Sequence, residues 1–294
     1  MAKQNYAGEV VRLFDLPDLT EAAELAGQPE PEFAARLASL PDGIHGIGFK
    51  ASGKLRAVAL DLEREIARSG KRSLVRLRTE AEDPTRWGLM FVAWAEESSR
   101  RQGARRLCIG IEKADGLSEL LEPRGYRRVE SFITMQRTSG SRECPPIPPG
   151  ITEQSLRTIG DAKFLEIGNA AFEDVPGAFP LSASDFVRVR TEAGFRDGLV
   201  KVISDAEGPV GFLRGSYVPG HPGEVEAIGV MPRARGKKLG RWLLRRTEEL
   251  LEQEGAPSIQ LLVAATNKAA VSLYRKDGYV EISRRDSWER VLED

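Results

Sequence analysis

Residues 224–240 read EVEAIGVMPRARGKKLG: an apolar run enters a short basic turn, and LG opens the helix that follows. A strand feeding such a turn leaves the amides of the first helical turn unpaired beside Arg233, Arg235, Lys237 and Lys238. Orphan N–H groups at the positive end of a helix make an anion site. Four cations within six residues suit a pyrophosphate, although a solvated basic turn has the same local pattern. Glu224 and Glu226 lie two apart and therefore share one face of the strand.

Downstream, the helix runs from Leu239 to about Glu254, with Leu239, Leu243, Leu250 and Leu251 on one face and Gly255 as its stop. An apolar strand at Ile259–Ala264 follows, then a short helix from Asn267 to Asp277 with an Asn cap and Gly278 at its end, then strands near Tyr279–Ile282 and Ser287–Leu292. Upstream, strands at Leu199–Ser204 and Pro209–Tyr217 precede the decisive one, separated by the turn residues Glu207 and Gly208. Before them come a strand at Ile151–Arg157 and helices at Asp161–Phe172 and Ser182–Glu192. The same β-α-α opening stands at the start of the chain, with a strand at Val10–Phe14, a helix TEAAELA and a second helix around Pro31–Leu40. The pattern predicts an α/β (α+β) class: two tandem domains, each a mixed, mostly antiparallel sheet flanked by helices.

A break in composition separates the halves. TSGSRECPPIPPG (138–150) holds four prolines and reads as an extended linker between domains at 1–137 and 151–294. The chain's 294 residues and 41% hydrophobic content suit two cores. A shift of 152 carries Gly240 onto Gly88, Glu248 and Glu249 onto Glu96 and Glu97, and Gly255 onto Gly103; a shift of 153 carries Gly278 and Tyr279 onto Gly125 and Tyr126. The matches fall on helix ends and one turn, where a diverged repeat keeps its residues.

VMPRARGKKLG (230–240), followed by NKAAVSLYRKDGY (267–279), resembles the acetyl-CoA-binding core of the GNAT acyltransferase superfamily. The resemblance implies that the loop and helix start, Arg235, Gly236, Lys237, Lys238, Leu239, Gly240 and Arg241, cradle the coenzyme A pyrophosphate. Lys238 stands where the family pattern has its first glycine. The pantetheine arm would pair with the exposed backbone of Ile228, Gly229 and Val230 as an added strand does, with Gly229 keeping the thioester's approach open and Asn267 and Ala270 flanking the arm. Tyr274 takes the place of the family's general acid, a phenol that stays protonated at neutral pH. Periodicity alone also fits a tyrosine half buried against the sheet. Glu224 matches the base of members that use a glutamate, relaying a proton through water; Glu226 is an acceptor-orienting carboxylate or a solvated strand residue. Phe172, Glu173, Asp174 and the Pro176–Pro180 loop would wall the acceptor site.

The first half departs from the motif. Opposite Arg235–Gly240 lies DPTRWG (83–88), which puts a carboxylate where a cation is needed and a proline that lacks an N–H; Leu121 stands opposite Tyr274, and Ala114 or Asp115 opposite Asn267. Residues 1–137 thus read as a degenerate copy. The tandem arrangement resembles that of the mycothiol synthases, which acetylate the cysteinyl amine of a sugar thiol.

The expected activity is acetyl-CoA-dependent N-acetylation of a small-molecule primary amine by direct transfer at the C-terminal copy. A non-catalytic acyl-CoA sensor or scaffold is the rival reading. Lys plus Arg number 43 and Asp plus Glu 44, so no global basic field draws nucleic acid or an anionic membrane, and pairs such as Arg245 with Arg246 and Arg284 with Arg285 are interspersed with acids. No apolar run of membrane length and no leader pattern is present, and the chain reads as cytoplasmic. Two histidines, His45 in a loop and His221 in a turn, and two cysteines, Cys108 in a core strand and Cys144 in the linker, supply no zinc framework, so no metal is expected. The expected assembly is a monomer or homodimer.

Overall fold

The structure, a computed structural model, describes residues 8–38, 40, 44–112, 117–140, 143–175 and 180–292. The first half of the chain runs β1 (Gly8–Arg12), α1 (Thr20–Ala26), α2 (Glu30–Ala38), β2 (His45–Ala51), β3 (Lys54–Asp61), α3 (Arg64–Ser69), β4 (Lys71–Thr79), α4 (Pro84–Arg101), β5 (Arg106–Glu112), α5 (Ser118–Leu121) and β6 (Arg127–Thr138). The second runs β7 (Thr152–Ser155), α6 (Leu156–Ile159), α7 (Asp161–Ala171), α8 (Ala183–Val189), β8 (Val200–Asp205), β9 (Gly208–Ser216), β10 (Gly223–Val230), α9 (Leu239–Gln253), β11 (Ser258–Ala264), α10 (Lys268–Lys276) and β12 (Val280–Val291).

Helix starts follow their caps. Asp83 accepts from Arg86 N at α4, with Pro84 in the first turn; Ser182 and Asp185 form a capping box at α8; Asn267 accepts from Ala270 N at α10. Two expectations change. The strands expected near Tyr279–Ile282 and Ser287–Leu292 are one continuous strand, β12, because the intervening SRRD carries neither Gly nor Pro to interrupt it. His45 opens β2 instead of lying in a loop, with Nε2 3.7 Å from Glu63.

Contacts group the described residues into two compact units. One holds the chain up to Ile133 with Ala264–Thr266 and the residues from Ser283 onward; the other holds Thr134–Val263 and Asn267–Ile282. The divisions therefore fall inside β6 and β12, away from the Pro-rich stretch. In the first unit the strand order is β1-β2-β3-β4-β5-β12, with β4 and β5 parallel and the β1·β2, β2·β3, β3·β4 and β5·β12 ladders antiparallel. In the second it is β6-β11-β10-β9-β8-β7, with β10 and β11 parallel and β7 through β10 antiparallel.

The strand that ends each half of the sequence thus completes the sheet of the unit built mainly by the other half, and the repeat is visible in the contacts this makes. In the first unit Tyr126 donates to Glu96 at 3.0 Å and Arg290 of β12 donates to the same carboxylate at 2.9 Å. In the second, Tyr279 is buried beside Glu248, and Arg137 of β6 stands 3.3 Å from that carboxylate. Leu292 N donates to Arg105 O in one, Ser139 N to Pro257 O in the other. Burial together with the neighbouring glutamate pushes both phenols well above the usual tyrosine range.

The Pro-rich stretch does more than span. Trp242 of α9 donates its indole N–H to Pro145 O at 3.0 Å, and Cys144 and Ile151 pack against the cluster of Leu213, Leu239 and Leu243. A backbone carbonyl and the Cys144 side chain thus fasten the stretch to α9 and the sheet. The core of the first unit centres on Leu74, Phe91, Leu107 and Ile109. In the second, Phe164, Phe186 and Phe212 pack between α7, α8 and the sheet.

Candidate active site

The two parallel strands of the second unit part company. β10 pairs with β11 only at Gly223–Ile259, Glu224–Gln260 and Val225–Leu261 among the described residues, whereas its antiparallel ladder with β9 continues to Val230. A bulge lies between Val225 and Ala227, where the strand's direction shifts. Met231 N–H donates to Val210 O on β9, so by the two-residue alternation of a strand the polar groups of Ile228 and Val230 face the opposite edge, toward β11. That edge offers the backbone donors and acceptors an extended arm can use.

Gly229 also meets a packing demand that the sequence does not show. A Cβ on it would stand 2.2 Å from Phe212 Cε1 and 2.9 Å from Ala171 Cβ, so the glycine is required for α7 to lie against the sheet. Gly229→Ala is expected to destabilise the protein by about 1–3 kcal/mol through overpacking, read as a lower urea midpoint.

After β10 the chain makes a 3-10 turn at Pro232–Ala234, passes Gly236 at φ +81° and Lys238 at φ +62°, and enters α9 at Leu239 with no side-chain cap. The amides of Leu239, Gly240 and Arg241 fall in the first turn and have no partner within the helix. Gly240 leaves space there, since a Cβ on it would meet only Val230 Cγ2, at 3.8 Å. The left-handed backbone at Lys238 explains why a glycine suits this position. Lys238→Gly is expected to raise stability by up to about 1 kcal/mol, measured by denaturant melts.

The four cations of the turn divide in two. Arg233 grips the β8–β9 hairpin, donating to both oxygens of Asp205 at 2.9 Å and to Gly208 O and Pro209 O at 3.0 Å. Arg235 donates to Asp174 Oδ1 at 2.8 Å, Ala171 O at 3.2 Å and Val230 O at 3.2 Å. These hydrogen bonds, with the opposite charges, raise both guanidinium groups and hold Asp174 and Asp205 below the usual carboxylate range. Both arginine side chains are thus struts that shape the loop. Lys237 and Lys238 are exposed beside the uncapped start of α9. Arg241 reaches Asp277 at 3.2 Å while most of its side chain stays in solvent.

Tyr274 is half-buried on α10, its ring 5.8 Å from that of Tyr279, and burial pushes its hydroxyl above the usual phenol range. Asn267 caps the helix that carries it, and Ala270 receives that cap in the first turn. Beneath lies a buried ion network that the sequence did not reveal. Asp277, with no exposed surface, pairs with Arg245 and Arg241; Arg245 stands 3.4 Å from Glu248, and Glu248 pairs with Arg137. It fixes the C-terminal end of α10, three residues beyond Tyr274, to α9. The only trace in the sequence was Asp277 between a helix and its glycine stop, a place any polar residue fills.

Glu224 is exposed at the head of β10, two residues before the bulge. Glu226 accepts from Ser216 at 2.7 Å and stands 3.6 Å from Arg214. Glu192, an exposed residue beyond α8, has its carboxyl lifted above the usual range first by desolvation, then by the charges of Glu226 and Glu224. Phe172 packs edge-on against Phe212 at 5.7 Å and Glu173 is exposed; residues 176–179 of the expected acceptor wall lie outside the described residues.

The matching place in the first unit is closed. The β4–β5 ladder passes Ser73–Cys108 and Leu74–Ile109, shifts register, and pairs again at Leu77–Ile111. Asp83 caps the helix that corresponds to α9, and Leu121, opposite Tyr274, has no exposed surface. Ala114 and Asp115 lie outside the described residues. Of the basic pairs, Arg245 is buried in the ion network and Arg246 is held by Glu153 at 2.9 Å and by Glu249. Among the described residues no cluster of three or more metal-ligating side chains is present, and no helix is long and apolar enough to cross a membrane.

Residues 169–279, which contain Glu224, the basic turn and Tyr274, match the Acetyltransferase (GNAT) family model. A mycothiol acetyltransferase of Pseudarthrobacter chlorophenolicus is 30% identical over 225 residues, 67% of this chain and 68% of that protein. One from Salinispora arenicola is 31% identical over 177 residues, 56% of this chain and only 57% of the relative's own length. Among solved structures, a GCN5-related N-acetyltransferase from Sphaerobacter thermophilus superposes with a TM-score of 0.79 at 20% identity, covering 98% of this chain and 96% of that one. A tandem GNAT protein from the clavulanic acid biosynthesis pathway gives 0.74 at 13% identity, covering 98% and 99%.

Proposed function

This chain belongs to the GNAT acetyltransferase family, and from that membership we propose that its second unit is an acetyl-CoA-dependent N-acetyltransferase acting on a primary amine of a small molecule in the cytoplasm. We carry the sequence division into copies 1–137 and 151–294, joined by 138–150, as part of this reading. The observation that supports it most is the parting of β10 from β11 after Val225, next to a helix start without a side-chain cap.

The residues suit the coenzyme. The amides of Leu239, Gly240 and Arg241, with Lys237 and Lys238, would hold its pyrophosphate, and the outward-facing backbone of Ile228 and Val230 would pair with its arm. Gly236 and the strut Arg235 shape the loop, while Gly229 admits the packing beneath. Asn267 and Ala270 order the helix start on the far side. When bound, the coenzyme supplies an acetyl group activated as a thioester. Glu224 takes, through a water, the proton that the acceptor nitrogen loses as it forms the new C–N bond. Tyr274 Oη gives its proton to the sulfur as the C–S bond breaks.

The names of the curated relatives favour a second, narrower reading, acetylation of a cysteinyl amine as in mycothiol synthesis. Thiol release from acetyl-CoA, followed across a panel of small amines that includes cysteinyl amines, tests both. Amine-dependent release supports transfer, and selective use of a cysteinyl amine supports the narrower reading. Tight binding with no release from any amine would leave a sensor in place of an enzyme.

A further inference from the structure

The turn that leads into α9 is ordered from outside. Its chain passes two left-handed residues, Gly236 at φ +81° and Lys238 at φ +62°, and α9 begins without a side-chain cap. Fixing such a loop costs conformational entropy, and its amides hold an anion best when that cost is met before the ligand arrives. Arg233 ties the turn to the β8–β9 hairpin, and Arg235 ties it to the end of α7.

Arg235 joins three elements. Its Nε donates to Val230 O at the end of β10 and its Nη2 to Ala171 O at the end of α7, both at 3.2 Å. Nη1 and Nη2 also grip the two oxygens of Asp174, the paired geometry that gives a guanidinium a fixed direction. Asp174 stands on a firm base. Ala171 is buried, and Phe172 meets Phe212 edge-on at 5.7 Å. Asn169 closes the α7–α8 connection at its other end, donating to Leu181 O at 3.0 Å and accepting from Leu181 N at 2.8 Å.

Charge and geometry give Asp174 effects of opposite sign. A carboxylate close to a basic turn repels a pyrophosphate, so its removal would tighten binding. A strut that keeps the turn in place strengthens binding, so its removal would weaken it. Resting on the acetyltransferase reading, we propose that Asp174 is a positioning residue for the coenzyme site. Its carboxylate fixes Arg235, and Arg235 fixes the turn that leads to the amides of Leu239, Gly240 and Arg241, where the pyrophosphate would sit. Asp174 then serves the coenzyme and not the acceptor wall expected from the sequence.

The test titrates acetyl-CoA calorimetrically into the full chain and its variants. Asp174→Ala is expected to weaken binding about tenfold. In thiol release it should raise the KM for acetyl-CoA and change kcat by less than about twofold. Asp174→Glu, whose longer side chain still reaches Arg235 from the surface, should recover most of the affinity. Adding Asp174→Ala to Arg235→Met should cost little beyond Arg235→Met alone, because the two side chains act as one strut. Both are about half in solvent, so the urea midpoints should stay near wild type. Hydrogen exchange of the unliganded chain should quicken at 236–241 in Asp174→Ala, a readout that does not depend on the coenzyme. Wild type that fails to bind acetyl-CoA overturns the coenzyme reading and this proposal with it. Wild-type binding with Asp174→Ala equal or tighter overturns the positioning role alone. So does Asp174→Glu no better than Asp174→Ala, or a fully additive loss in the double variant.

Discussion

Tyr274→Phe is expected to lower kcat by about 100-fold or more and to leave the dissociation constant of acetyl-CoA unchanged. The substitution removes one oxygen from a half-buried ring that stays packed against Tyr279. In the proposed reaction the lost group is the proton donor to the departing sulfur, so the effect falls on turnover. Burial raises this hydroxyl, which keeps it protonated throughout the neutral range. The wild-type pH profile should therefore show no loss of activity from tyrosine ionisation below about pH 10. Equal kcat for the two proteins, measured by thiol release, would remove Tyr274 from the chemistry.

Asp277→Ala is expected to cost about 3–5 kcal/mol, because it leaves Arg245 buried without its carboxylate. Asp277 has no exposed surface and Arg245 only 8%. Arg241 loses the same partner, and among the described residues Glu248 remains near Arg245 at 3.4 Å. Glu248 is shared with Arg137, which stands 3.3 Å from it. The readout is the urea midpoint of the full chain, which should fall well beyond the shift caused by Gly229→Ala. A change within about 0.5 kcal/mol would show that the network adds nothing to the fold.

Much of this fold was legible because its markers are local. Asn267 as a cap, Gly278 as a stop and the apolar face of α9 each act within a few residues, and each element stands where those marks put it. The repeat was legible for the same reason, since Gly and Tyr at helix ends keep their backbone roles. The membership of β6 and β12 was not, because nothing in a strand's own sequence names its neighbour. Only the equivalence of Arg137 and Arg290, each beside the glutamate of a Glu–Tyr pair, records it.

The site was read in outline and differs in its parts. The basic turn promised four cations for an anion, yet two are held by Asp174 and Asp205, residues 61 and 28 positions away. Gly229 leaves room for the Phe212 ring, a packing role that the local sequence does not show. The parting of β10 from β11 depends on the bulge at Glu226 and on which backbone groups face which edge, neither of which a single strand's composition determines.

Hydrogen exchange of the full chain with and without acetyl-CoA, followed by mass spectrometry, bears most directly on where the coenzyme binds. Protection is expected at 226–230 and 237–241, with none at 71–79, where β4 and β5 pair again at Leu77 and Ile111 after a register shift. Protection confined to 71–79, or no protection at 226–241 at saturating acetyl-CoA, would contradict the assignment of the site to the second unit.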